Sequence, residues 1–204
     1  MVATGVAQRP RRLSTWLAVL LVVATGVNIR AVFGVTPPLV PVISADLGLT
    51  GTTASLLTAV PILAMAVCAP LGHVLSTRLG VDGAMVSLLV VLSAAELSRA
   101  WMDSAPPLVL SAGVIGGALG ALSTLTPALI AHHLPRMRGL ATGIYATAMA
   151  LGVGLAAGTA QPLADGLGGW RSALAVWGLL GLLLAAALLV ARRLGAGMPE
   201  QPGP

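Results

Sequence analysis

Six long apolar runs divide this chain, each close to the ~20 residues that an α-helix needs to cross a ~30 Å hydrocarbon core. They fall at about residues 14–36, 52–75, 82–102, 106–131, 138–163 and 171–191. That pattern leaves little choice of fold. Only 8% of the 204 residues are charged and 57% are hydrophobic, whereas a soluble domain carries about 25% charged residues. The remaining polar groups are too few to cover a globular surface. A membrane β-barrel would show ~10-residue segments alternating apolar and polar, and these runs are continuously apolar. The expected class is therefore an all-α integral membrane protein with six transmembrane helices in one bundle over residues 14–191. Residues 1–13 and 192–204 are then its N-terminal and C-terminal tails.

The breaks between runs carry turn chemistry. "PPLVPVISADLGLTG" holds three prolines, "STRLGVDG" two glycines and "MDSAPP" two prolines, with "HHLPRMRG" and "ADGLGGWR" completing the set. Basic residues alternate with these breaks. Arg9, Arg11, Arg12, Arg78, Arg136, Arg138, Arg192 and Arg193 fall on one side of the six spans. Arg99, Arg171, Asp46, Asp103 and Asp165 fall on the other. The positive-inside rule predicts both termini in the cytoplasm and a multi-pass protein of the cell inner (plasma) membrane. Trp16, Trp101 and Trp170 lie at predicted boundaries, where interfacial tryptophans concentrate. The basic, apolar start of the chain resembles a signal peptide. With five more spans behind it, it is read as an uncleaved first span.

Few residues offer chemistry. Cys68 is the sole cysteine, so no intramolecular disulfide or thiolate metal cluster is expected. His132 and His133 are adjacent and have no third ligand nearby. No nucleophile elbow, phosphate loop or carboxylate pair is present. The chain is not read as an enzyme, and no metal or cofactor is expected. The scattered arginines and 3% aromatic content argue against nucleic acid as a partner.

Arg30 interrupts the first apolar run. About sixteen rises of ~1.5 Å from the start of the span place it ~24 Å deep. Two readings stand. The guanidinium snorkels to the far headgroups, or it lines a water-filled cavity as an anion ligand, with five fixed donors suited to a planar anion. Asn28 lies two residues before it, about 200° around the helix, so the two do not share a narrow face. Glu96 and Arg99 are an i,i+3 pair able to neutralise each other near the end of span 3. Glu96 is also the one carboxylate placed inside a span. Gly113/Gly117 and Gly116/Gly120 on span 4, and Gly139/Gly143 and Gly154/Gly158 on span 5, have the four-residue spacing of close helix packing. Ser123, Thr126, Thr142 and Tyr145 are the other polar groups of these two spans.

The stretch "NIRAVFGVTPPLVPVISADLGLTGTTASLLTAVPILAMAVCAPLG" resembles the first two spans of the cyanate and nitroimidazole permease branch of the major facilitator superfamily. "PALIAHHLPRMRGLATGIYATAM" and "PLADGLGGWRSALAVW" continue the match in the same order, over about residues 16–180. The resemblance implies half of a major facilitator fold, six helices built as two inverted three-helix repeats, with a solute site near the bilayer midplane. In that fold the first and fourth spans of a half line the cavity.

The same resemblance implies transport of a small anion or polar organic solute, cyanate-like or nitroaromatic. Arg30 matches the arginine of the branch's Asn-Leu-Arg motif, with Asn28 opening it. Ser123 falls where relatives carry asparagine, and Tyr145 matches their Gly-Leu-Tyr tyrosine. These four are the candidate substrate-binding residues. Ala31 replaces the motif proline, and the superfamily loop between spans 2 and 3 is reduced to "STRLGVDG", with Thr77 at the aspartate position and Arg78 retained.

A full-length member has two such halves. Alternating access therefore needs a second six-helix half, from another chain or a homodimer, within the lipid bilayer. The other expectation is a truncated half or a partner or regulatory membrane protein that does not itself transport.

Overall fold

The computed structural model describes residues 15–193; the predicted N-terminal tail, with Arg9, Arg11 and Arg12, and residues 194–204 of the C-terminal tail lie outside the described residues. Among the described residues there are helices and turns and no strand. The long helices are α1 (Thr15–Leu47), α2 (Gly51–Ser98), α3 (Ala105–His133), α4 (Arg138–Gly166) and α5 (Trp170–Ala191). Short 3-10 turns at Arg99–Trp101 and Pro135–Met137 join α2 to α3 and α3 to α4. All five long helices are long and apolar enough to cross a membrane.

α2 accounts for two crossings. Its 48 residues would extend about 72 Å as one rod, more than twice a ~30 Å core. The helical path breaks at Gly80, whose φ of 72° and ψ of 162° lie where residues with a side chain are strained. The two arms, 51–79 and 81–98, are spans 2 and 3, and the architecture is a six-crossing bundle. Gly80→Ala is expected to cost about 1–3 kcal/mol, read as a lower midpoint of thermal unfolding in detergent. Gly154→Ala, with nothing within 4 Å of an added Cβ, should leave that midpoint unchanged or raise it.

The two three-helix repeats pack reciprocally. The first arm of α2 lies along α3, and α1 lies along α4. So the first helix of each repeat meets the second helix of the other. Contact is close because glycine lies at the crossing points. A Cβ added to Gly116 would collide with the Pro61 carbonyl, and one on Gly120 with that of Met65. Across the other pair, Gly34 meets the Val153 carbonyl and Gly152 meets that of Val27. The remaining helices fill in behind. Leu89 and Leu92 of α2 pack with Leu119 and Leu122 of α3, and Ala31, Val35 and Leu39 of α1 pack with Ala173, Leu174 and Trp177 of α5.

Four local differences from the sequence reading have physical reasons. The predicted break "PPLVPVISADLGLTG" is helical as far as Leu47 despite Pro37, Pro38 and Pro41. Ala31, Val35, Leu39 and Ile43, four residues apart, form one buried stripe against α4 and α5. That packing outweighs the hydrogen bonds the prolines remove. Trp170 stands at a helix end as expected but is buried against the bundle, with its indole N–H donating to Asp46 Oδ2 at 3.0 Å.

The other two concern pairing. Glu96 and Arg99 are both buried, and Arg99 Nε donates to Ser111 Oγ at 2.9 Å; no salt bridge joins Glu96 and Arg99 among the described residues. Of the glycine pairs, Gly116 and Gly120 form a seam, while Gly139, Gly143, Gly154 and Gly158 face open space and Gly152 makes the contact instead.

The end carrying Asp46 and Asp103 is tied by one arginine. Arg171 NH1 donates to Asp46 Oδ2 and Arg171 NH2 to Asp103 Oδ1, each at 2.7 Å. Its guanidinium also lies 4.3 Å from the centre of the Trp170 ring. This clasp joins the end of α1 to the α2–α3 connection and the start of α5.

Candidate functional site

α1 and α3 are the most enclosed of the helices, with 61% of their most apolar windows buried inside the bundle against 11% for α2 and 22% for α4. A side chain aimed between them points into the middle of the half. Arg30 does so from α1. Gly26, Arg30, Phe33 and Pro37 recur at spacings of four, three and four, which keeps them on one face. The Arg30 guanidinium lies 5.5 Å from the centre of the Phe33 ring, within cation–π range. The chain's single phenylalanine therefore shapes the position of Arg30.

Tyr145 closes this face from α4. Gly26 makes the room: an added Cβ there would stand 3.0 Å from Tyr145 Cδ2. The Tyr145 side chain lies near Thr126 of α3 and within electrostatic reach of Arg30. Thr126 donates its own hydroxyl proton to the Leu122 carbonyl at 3.0 Å. Three helices thus bring a guanidinium, a phenol and a threonine together. Among the described residues no carboxylate is within ion-pair distance of Arg30. The site presents a cation and a phenol with no built-in counter-ion, an arrangement that suits an anion.

The other two candidate residues lie elsewhere. Ser123 is exposed on α3, one turn from Thr126, with its hydroxyl donated to the Gly120 carbonyl at 2.7 Å. Asn28 is buried on the opposite side of α1, where its amide nitrogen donates to the Trp177 carbonyl of α5 at 3.5 Å. The structure thus brings Arg30 and Tyr145 together, sets Ser123 one turn away, and turns Asn28 toward α5. Phe33 and Thr126 complete the face. The i,i+3 spacing of Arg30 and Phe33 was the signal available for the first of these. Nothing in the sequence pairs Thr126 with Tyr145, because that contact depends on how α3 and α4 cross. A cavity of about 170 Å³ opens beside Phe33, lined also by Thr36, Pro37, Thr58, Pro61 and Arg99.

Comparison with known proteins places this geometry in a family context. The family model for the Major Facilitator Superfamily matches residues 14–203. The chain is 34% identical over 171 residues to the uncharacterized transporter YycB of Bacillus subtilis (strain 168), covering 83% of this chain and 42% of that protein. It is 28% identical to the cyanate transport protein CynX of Escherichia coli (strain K12), covering 78% of this chain and 42% of that protein. With the 2-nitroimidazole transporter of the same organism it shares 30% identity, over 78% of this chain and 39% of that protein. Among solved structures, a D-xylose-proton symporter superposes with a TM-score of 0.67 at 22% identity, covering 86% of this chain and 47% of that one. The chain spans about two-fifths of the length of the curated relatives it matches.

Proposed function

The chain belongs to the major facilitator superfamily, and from that premise we propose that it forms one half of a carrier for a small anion or polar organic solute, cyanate-like or nitroaromatic. The observation that carries this reading is Arg30, held over Phe33 beside Tyr145 with no carboxylate partner among the described residues. The guanidinium supplies charge and a planar fork of donors. Tyr145 supplies a second polar contact and an aromatic face, and Ser123 a hydroxyl one turn along α3. Asn28 contributes from behind, by fixing α1 against α5. The relatives named for cyanate and 2-nitroimidazole support the solute class.

In this reading residues 14–191 form one six-span bundle with both termini in the cytoplasm of an inner-membrane protein. Movement of solute then follows alternating access: two six-helix halves rock about a site near the midplane. A second six-helix half completes the site in this reading. The second reading is a partner or regulatory membrane protein that holds solute without moving it.

The test uses purified protein in nanodiscs and in sealed liposomes, with labelled cyanate and a labelled nitroaromatic carboxylate as probes. Saturable binding of either probe, with flux wherever two halves assemble, is the expected result. Binding without flux in any assembly state favours the regulatory reading. Absence of saturable binding to both probes overturns the anion assignment.

A further inference from the structure

Behind α1, on the side away from Arg30, two pairs of polar residues face one another. Thr25 and Asn28 stand three apart on α1; Ser93 and Glu96 stand three apart on α2. All four are buried, none more than 6% exposed. Thr25 Oγ1, Asn28 Oδ1, Ser93 Oγ and Glu96 Oε2 are each without a hydrogen-bond partner. This is unlike the buried hydroxyls of Ser111 and Thr126, which return to carbonyls of their own helix. α5 closes the cluster with glycines that leave space for it. A Cβ added to Gly181 would collide with Ser93 Oγ and stand 3.2 Å from Asn28 Oδ1, and one on Gly178 would stand 3.2 Å from Glu96 Cβ.

The oxygens of the cluster outnumber the donors bonded to them. Asn28 Oδ1 accepts only, and an ionised Glu96 accepts only. The Asn28 amide nitrogen is turned to the Trp177 carbonyl. The hydroxyl protons of Thr25 and Ser93 are unassigned, and the buried indole N–H of Trp177 also has no partner. The charged neighbour is Arg99 in the 3-10 turn that follows, and its Nε is committed to Ser111 of α3. The facing residues of α1 and α5, Asn28, Trp177, Gly178 and Gly181, carry no charge. One further proton on the carboxyl would remove a buried charge that no ion pair meets among the described residues and give Glu96 a hydrogen bond to donate.

We propose that Glu96 is a proton-binding site, with the protonated carboxyl donating to Asn28 Oδ1 or Ser93 Oγ. The step is a simple transfer: hydronium gives its proton to the Glu96 carboxylate and leaves water. A cavity of about 170 Å³ opens nearby, with Phe33 and buried Arg99 both in its wall. Phe33 is also the residue that carries Arg30 on its ring. Proton site and cation thus share one turn of α1, Asn28 on one face and Arg30 about 200° round it. A proton that orders Asn28 therefore sets the rotation of the turn that aims Arg30. This coupling rests on the solute reading above; the proton site does not.

Infrared titration of the purified protein in nanodiscs tests the site without any solute. The wild-type spectrum is expected to show the carbonyl band of a protonated carboxyl at neutral pH. Glu96→Gln should delete that band, Ser93→Ala and Asn28→Ala should shift its frequency, and Arg30→Ala should leave it in place. Should Glu96→Gln fail to fold, Glu96→Asp is to be used, and the band should move rather than persist unchanged. A spectrum with no such band anywhere from pH about 5 to 9, or a band untouched by the Glu96 substitutions, overturns the proposal. Loss of the band when sodium replaces potassium at fixed pH also overturns it, in favour of a sodium site on the same oxygens. An intact band in a protein that binds neither anion probe would leave the proton site standing and remove the solute reading alone.

Discussion

Arg30→Ala is expected to weaken binding of a cyanate-like or nitroaromatic anion by about 10- to 100-fold, while the protein inserts and folds as before. A hydrogen bond to a charged group contributes about 1.5–3 kcal/mol, and each 1.4 kcal/mol is a factor of ten in affinity. Arg30 is half-buried and makes no ion pair among the described residues, so its removal orphans no partner charge. Folding should therefore be spared. Arg30→Lys separates charge from geometry: the ammonium keeps the field but loses the fork of donors. An intermediate affinity is expected for the lysine variant. Unchanged affinity in both variants, measured by equilibrium binding in nanodiscs, would remove Arg30 from the site.

Gly116→Val should do the reverse, destroying the bundle and with it every function. An added Cβ at Gly116 meets the Pro61 carbonyl, its α-carbon and its carbonyl carbon. These are backbone atoms of a packed helix and have no rotamer into which to retreat. Overpacking of this kind costs about 3 kcal/mol, and the lost close approach removes the dispersion contacts that hold helices together in lipid. The expected result is an aggregated product, or one unfolding at a much lower temperature, by size-exclusion chromatography and thermal denaturation in detergent. Gly158→Val is the matched control. It lies on α4 with nothing within 4 Å of an added Cβ, and it should yield a monodisperse protein. Equal behaviour of the two variants would mean that α2 and α3 do not meet as described.

Much of the architecture was legible because a bilayer accepts so few backbone arrangements. Apolar runs long enough to cross lipid must be helices, since nothing else satisfies their N–H and C=O groups there. Six crossings therefore follow from hydropathy alone, although the chain reaches them through five long helices, with Gly80 dividing the second. The angular separation of Asn28 and Arg30 followed in the same way from helix geometry. It is the separation between an amide bonded to α5 and a guanidinium lying over Phe33.

What the sequence left open is which face of each helix meets which neighbour. Spacing marks Gly139 and Gly143 as sharing a face of α4 as readily as it marks Gly116 and Gly120 on α3, yet only the second pair lies against another backbone. Hydropathy ends α1 at its prolines, whereas the stripe from Ala31 to Ile43 carries the helix on to Leu47 by packing against α4 and α5. Tyr145 and Thr126 are nineteen positions apart in sequence, and their contact depends on the crossing of two helices. Glu96 and Arg99 have the spacing of a surface ion pair, but α1, α3 and α5 bury both and turn the arginine to Ser111. The sequence by itself determined the helices and their membrane character, because local hydrogen bonding and hydropathy are properties of each segment. The tertiary structure decided the partners of each face, because helix–helix contact depends on the shapes of two surfaces that no single segment contains.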